Sequence, residues 1–254
     1  MALDYSCLFV TTSWDDGHPL DLRVAERLAV RGIYGSFYIP IRYEAVPRMS
    51  VPEMRELRSM GMEIGAHTVH HTRLTHLSKQ EAWRELVESR DMLEQILGEP
   101  VTSFCYPEGK FSQRDRRLVR EAGYKLARTT VAFRTTLNFD PYAMPVGFHL
   151  YPHSRTVLAR HAARERNIAG LLIWAGHFGC EVAPVGLASR MSAALGRSGD
   201  VLHVWGHSWE VERAGLWPML DAVLDAVSGR SDAVYTTNSG VLRAVHCQER
   251  TGLS

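Results

Sequence analysis

The sequence predicts an α/β chain folded as a single barrel of parallel strands wrapped by helices. Short apolar runs alternate with longer segments of helical period, the pattern of strand–helix–strand units. The length, 254 residues, is what one such barrel commonly takes. No Pro/Gly/Ser-rich linker, internal repeat or low-complexity stretch divides the chain, so residues 1–254 read as one domain.

Each element follows from local pattern. Leu8–Thr12 reads as a first strand and Leu20–Ala29 as a helix ending near Gly32. Ser36–Ile39 is a strand closed by Pro40, Pro52–Ser59 a helix, and Met62–Ala66 the next strand. Ser78–Leu97 is the clearest helix: Ser78 is a candidate cap with Glu81 three residues on, and Gly98-Glu99-Pro100 stops it. Thr102–Tyr106 is a strand, Arg114–Ala122 a helix and Lys125–Thr129 a strand. From about 130 to 199 the pattern weakens. Arg155–Arg166 and Gly186–Leu195 have helical period, and the apolar run Leu171–Ala175 reads as a strand. Val201–Trp205, Leu216–Val227 and Ala233–Thr236 follow as strand, helix and strand, before a short C-terminal helix.

Composition excludes several classes. With 29 basic and 28 acidic residues the net charge is +1, which offers no electrostatic reason for a nucleic acid or an anionic membrane as partner. Cys7, Cys105, Cys180 and Cys247 are scattered without a C-x-x-C pair, so they read as reduced, packed thiols rather than a zinc knuckle or disulfide frame. The first ten residues carry an early acid and no basic stretch, and no apolar run reaches the roughly 18 residues a spanning helix needs. The expected setting is cytoplasmic.

Three clusters fall at the carboxyl ends of expected strands, where parallel barrels gather their chemistry. The first is Ser13-Trp14-Asp15-Asp16-Gly17-His18-Pro19. Adjacent carboxylates repel unless a cation or proton separates their roles, although an isolated Asp-Asp-Gly more often caps a helix. The second is His67-Thr68-Val69-His70-His71. One helical turn would place the imidazoles of His67 and His71 on one face, half of a zinc site that a carboxylate can complete; His70 points elsewhere. The third is His203-Val204-Trp205-Gly206-His207-Ser208-Trp209. Period two puts His203, Trp205 and His207 on one face, so strand geometry alone leaves open which histidine reacts. His203 lies deeper, as a packed histidine would. Together the clusters are the parts of a metal-assisted amide hydrolase, with a carboxylate base and an imidazole acid.

At these residues the sequence resembles the polysaccharide deacetylase family, which includes chitin deacetylases and the nodulation deacetylase NodB. The family's T-F-D-D-G-P motif appears as Ser13-Trp14-Asp15-Asp16-Gly17, and its H-[ST]-x-x-H motif is matched at His67, Thr68 and His71. Gly32–Ile39, Phe104–Gly109, Glu121–Arg128 and Trp205–Ser208 continue the likeness in order. The resemblance implies a deformed (β/α)7-type barrel holding one divalent metal, zinc first, with cobalt, nickel or manganese as alternatives. By position Asp15 is the expected base, Asp16, His67 and His71 the ligands, and His207 the general acid.

The chain also departs from the family. The third motif, often R-P-P-Y-G, is here Cys105-Tyr106-Pro107-Glu108-Gly109, with cysteine at the arginine position and glutamate at the tyrosine position. Tyr106 and the main chain of Glu108 are expected near the oxyanion, and Trp14 and Trp209 against a sugar face. No counterpart of the family's aspartate–tryptophan motif is recognisable, so the residue that orients His207 is unassigned. The expected activity is removal of an N-acyl group, N-acetyl first, from a sugar or sugar-bearing small molecule. A hydrolase of cyclic imides or ureides on the same barrel and an inactive binding protein are the alternatives.

Overall fold

The computed structural model describes residues 7–196 and 199–251, the side chains of the last five of these excepted. In chain order the elements are β1 (Leu8–Asp15), α1 (Asp21–Ala29), β2 (Gly35–Ile39), α2 (Val51–Ser59), β3 (Glu63–Ala66), α3 (Lys79–Leu97), β4 (Ser103–Cys105), α4 (Gln113–Glu121) and β5 (Leu126–Arg128). Then come β6 (Phe148–His149), α5 (Arg155–Arg164), α6 (Ile168–Gly176), α7 (Pro184–Ala194), β7 (Val201–Gly206), α8 (Ser208–Arg213), α9 (Trp217–Val227), β8 (Ala233–Tyr235) and α10 (Asn238–Thr251).

All strand pairs are parallel, in the order β5-β4-β3-β2-β1-β7-β6. β8 pairs with the start of β1 at Leu8–Val10, below the rungs that β1 shares with β2 from Thr12 to Asp15. Arg128 of β5 bridges Met144, four residues before β6, so the segment leading into β6 meets the far edge of the sheet and the barrel is incompletely closed. This is the deformed barrel expected, with seven strands along its path and β8 beside them.

Alternation along β1 sorts its side chains between two environments. Thr12 and Trp14 face the helix layer, where the Trp14 indole N–H donates to Thr12 Oγ1 at 3.2 Å. Thr11, Ser13 and Asp15 face inward, onto a polar filling. Thr11 Oγ1 donates to Asn238 Oδ1 (2.9 Å), the Asn238 amide donates to the Tyr38 hydroxyl (2.9 Å), and Ser13 Oγ pairs with His203 Nε2 (2.8 Å). Buried polar groups persist only when paired in this way.

Capping boxes start three of the helices: Ser50 with Glu53, the expected Ser78 with Glu81, and Ser112 with Asp115. The largest departure from expectation lies between β5 and β7. Leu171–Ala175 is not a strand but the middle of α6. A short apolar run fits either state, and here Asn167 settles it by accepting from Gly170 N at 3.0 Å as the cap. Trp174 of that helix stacks on Phe133, ring centroids 5.6 Å apart. The two-residue β6 and the six-residue α8 were not anticipated. Cys105 and Cys180 form no disulfide, and the Cys247 side chain lies outside the described residues. No helix among the described residues is long and apolar enough to cross a membrane.

Candidate active site

β1 ends by splitting its two carboxylates. Asp15 is the last strand residue and points into the barrel. Asp16 adopts a left-handed φ of 79° and Gly17 follows at φ 60°, which turns the Asp16 side chain out to the mouth. A side chain at Gly17 would place its Cβ 2.7 Å from Ile39 Cγ2, so this turn needs glycine on both steric and conformational grounds. A non-glycine residue held at positive φ is a local cost that the surrounding structure must enforce.

β3 delivers the histidines, but not through a helical turn. Residues 67–73 form an irregular loop, with Thr68 at φ 65° and His71 at φ 55°. Thr68 Oγ1 accepts from Thr72 N at 3.2 Å and ties the loop together. The loop still brings the two imidazoles edge to face, 4.7 Å between centroids, with Tyr43 tilted 4.4 Å from His71. His70 turns away and pairs with Glu85 at 2.6 Å. His67 is buried, and its Nδ1–H donates to the Cys105 carbonyl at 2.8 Å. Burial also pushes its pKa down to about 4. A neutral ring donating through Nδ1 leaves the Nε2 lone pair free, and that atom faces Asp16.

Asp16 Oδ1 lies 3.8 Å from His67 Nε2 and 3.3 Å from His71 Nε2, and it is buried without a hydrogen-bond partner. Asp16 Oδ2 accepts from the Trp209 indole N–H at 2.9 Å. A buried carboxylate oxygen left bare beside two imidazole nitrogens is a costly arrangement for protein alone and a natural one around a divalent cation. Two further clusters could offer ligand atoms, Asp15/His67/Cys105 and His149/His207/Glu210. In the first of these, Asp15 is already taken by an arginine.

That arginine was not anticipated. Arg128, at the end of β5, is fully buried and ion-paired to Asp15 Oδ1. Its guanidinium sits between the rings of Trp205 (5.0 Å) and Tyr38 (5.4 Å). Burial alone would raise the Asp15 pKa, but neighbouring charges, Arg128 first and then His67 and His207, with the Arg128 hydrogen bond, outweigh it and bring it down to about 2. The signal in the sequence was the absence of arginine at position 105. In the β4–β5 register Cys105 is the rung partner of Arg128, so a guanidinium enters at the same level from the neighbouring strand.

β7 presents its histidines at two depths. His203 is fully buried between Ser13 Oγ and the Pro145 carbonyl (3.2 Å), and burial depresses its pKa to about 3. His207 lies past Gly206 at the mouth, its Nε2 3.9 Å from Asp16 Oδ2. Its Nδ1–H donates to Glu210 Oε2 at 2.6 Å, one turn into α8. Burial would lower the His207 pKa; the Glu210 bond and the charges of Asp16 and Asp15 reverse this and raise it to about 9. The same Glu210 oxygen lies 3.2 Å from His149 Nε2. Glu210 is thus the partner of His207 that the missing fourth motif left unassigned.

These groups open onto one cavity of about 580 Å³, lined by Asp15, Asp16, His67, His71, His207, Trp209 and Glu108 among others. Glu108 sits at φ 54° with its carboxylate ion-paired to Arg73, which neutralises the charge it brings to the mouth. Two residues expected near substrate do not line the cavity. Trp14 is fully buried on the helix side of the sheet, because strand alternation places it opposite Asp15. Tyr106 is fully buried, stacked on Phe111 at 4.6 Å, with its hydroxyl donating to the Tyr142 carbonyl.

The profile of the polysaccharide deacetylase family matches residues 6–127. YxkH of Bacillus subtilis, provisionally named a polysaccharide deacetylase, is 26% identical over 92 residues, which is 36% of this chain and 33% of the relative. The match therefore spans about a third of that relative's length. A solved Mycobacterium smegmatis protein, also provisionally named a polysaccharide deacetylase, is similar over 98% of this chain and 93% of its own, with a TM-score of 0.64 and 15% identity. A Bacillus anthracis pseudoenzyme of carbohydrate esterase family 4 is similar over 92% of this chain and 65% of its own, with a TM-score of 0.54 and 13% identity. The chain resembles the polysaccharide deacetylases in sequence over residues 6–127 and in fold along nearly its whole length.

Proposed function

We propose that the protein is a metal-dependent hydrolase that removes an N-acyl group, N-acetyl first, from a small sugar or sugar-bearing molecule. The observation that carries this is the bare, buried Oδ1 of Asp16 facing His67 Nε2 and His71 Nε2. Those three residues would hold the cation, zinc first, with cobalt, nickel or manganese as substitutes. When bound, such an ion supplies positive charge that polarises the acyl carbonyl and acidifies water.

The chain's own residues would do the rest. Asp15, kept ionised by Arg128, accepts a proton from the attacking water. His207, protonated and oriented through Nδ1 by Glu210, presents Nε2 toward the cavity and donates to the departing nitrogen. A cavity of about 580 Å³ has room for a small molecule. The missing arginine and tyrosine of the third motif leave room for a cyclic-imide hydrolase; Arg128 supplies a guanidinium at the arginine's rung, which favours the N-deacylase reading.

Fold likeness to a pseudoenzyme makes direct assay essential. Chelation should abolish hydrolysis of N-acetyl sugars, and zinc or cobalt should restore it, with cyclic imides as the control panel. Full activity in metal-free protein, or no turnover of any amide in metal-loaded protein, overturns the proposal.

A further inference from the structure

Beyond Asp16 and His207 the cavity continues under α5 and the approach to α7, and there its character changes. Phe133, Phe148 and Leu187 line it, each no more than 2% exposed, together with Leu158 and Ala162 of α5 and Val182. Trp205 and His149, stacked at 4.0 Å, line the same cavity as this arm. Lys110, His161 and Arg164 also line the cavity, and other polar groups there are bonded to protein. Asn167 donates to the Ala132 carbonyl (2.7 Å) and accepts from Gly170 N. Glu165 accepts from Thr130 Oγ1 (3.2 Å), and the ring nitrogens of His149 and His153 pair at 2.9 Å. A ligand group lying against Phe133, Phe148, Leu158, Ala162, Val182 and Leu187 would meet carbon. Apolar surface of that kind, opening from a hydrolytic centre, binds by removing apolar area from water.

We infer that the substrate is an amide carrying an apolar group of several carbons on one side of its scissile bond, and that this group occupies the arm lined by Phe133, Phe148, Leu158, Ala162, Val182 and Leu187. The inference rests on the N-deacylase reading for the position of the bond, and on the arm alone for the apolar group. The group could belong to the acyl chain or to the amine, and two ligand series separate these sources.

Binding to zinc-loaded protein is measured by calorimetry, without turnover. One series runs from acetate through butanoate and hexanoate to octanoate; the other runs from N-methylacetamide to N-hexylacetamide. In one of them affinity should rise about two- to fourfold per added methylene until the arm is full. Ala162→Phe, which fills the arm, should return the longer members of that series to the affinity of the shortest. Val182→Trp serves the same end should Ala162→Phe fail to fold. Flat affinity in both series overturns the inference, as does a chain-length gradient unchanged in a folded, arm-filling variant. Turnover of N-acetyl sugars with flat series would leave the proposed function standing and remove the arm. A gradient that the variant abolishes, without turnover of any amide, would do the reverse.

Discussion

The segment from β1 to β5 and the segment from 130 to 199 follow different rules, although both line the cavity. In the first, strand and helix alternate at even spacing, and each site residue sits at a strand end or in the loop that follows. In the second, one two-residue strand and three helices follow one another, and side chains from this segment line much of the cavity. A sheet imposes register through backbone hydrogen bonds, so what stands at its strand ends follows from local pattern. A cover of helices is placed by side-chain packing between elements far apart in sequence. The first segment, with His207 and Glu210 after β7, would set the reaction and the second what is admitted to it.

The sharpest way to break that division is to separate the two aspartates. Asp16→Ala should lose the metal and with it essentially all turnover. Asp15→Asn should retain the metal and lower kcat by on the order of 10²-fold or more, as expected for a lost base. Metal content and kcat on each variant check this, and the reverse pattern would exchange the roles.

His207 comes next. His207→Ala should cut amide hydrolysis by on the order of 10²- to 10⁴-fold with metal content unchanged, because an amine leaves poorly without a proton. On a nitrophenyl ester, whose leaving group needs none, the loss should be much smaller. Equal losses would remove the acid role. His203→Ala should lower stability more than kcat, since its ring is bonded within the core; a stable, metal-replete but inactive His203→Ala would make His203 the reacting histidine.

The cover offers the opposite contrast. Trp174→Ala should destabilise the chain by about 3 kcal/mol, the low end for a buried aromatic truncated in a core, through its stack on Phe133. Denaturant titration reads that loss. Zinc content at saturation should not change, because none of the metal-facing residues lies in the cover. Loss of metal in this variant would show the two segments to be one cooperative site.

The smallest effect expected is a dependence of stability on pH in metal-free protein. His67, His149 and His203 are buried with pKa values lowered to about 4, 4 and 3. In the unfolded chain they would take up protons near the ordinary histidine value of about 6.5. Between there and about pH 4 the unfolded state binds more protons than the folded one, so stability should fall as the solution is acidified across that window. His207, raised to about 9, has the opposite sign: its contribution is complete below about pH 6.5 and is lost as pH rises through 9. Urea midpoints across pH 4–10 test both limbs, and a flat acid limb would mean that the three rings are charged when folded.

Sequence pattern by itself determined the alternation of strands and helices from β1 to β5, the Ser78–Glu81 cap, and the placing of Asp15, Asp16, His67, His71 and His207 at strand ends. These depend on period, cap chemistry and chain order, all of which are local. It also located the histidine pair for the wrong local reason: the spacing of four suggested a helical turn, whereas a loop with two positive-φ residues brings the rings together. Tertiary structure alone decided that Arg128 meets Asp15, because which strand lies beside β4, and in what register, is set by the whole sheet. It decided that Glu210 holds His207 and that the apolar run 171–175 is helical. Each of these depends on a neighbour or a competing conformation that packing resolves and that spacing along the chain does not encode.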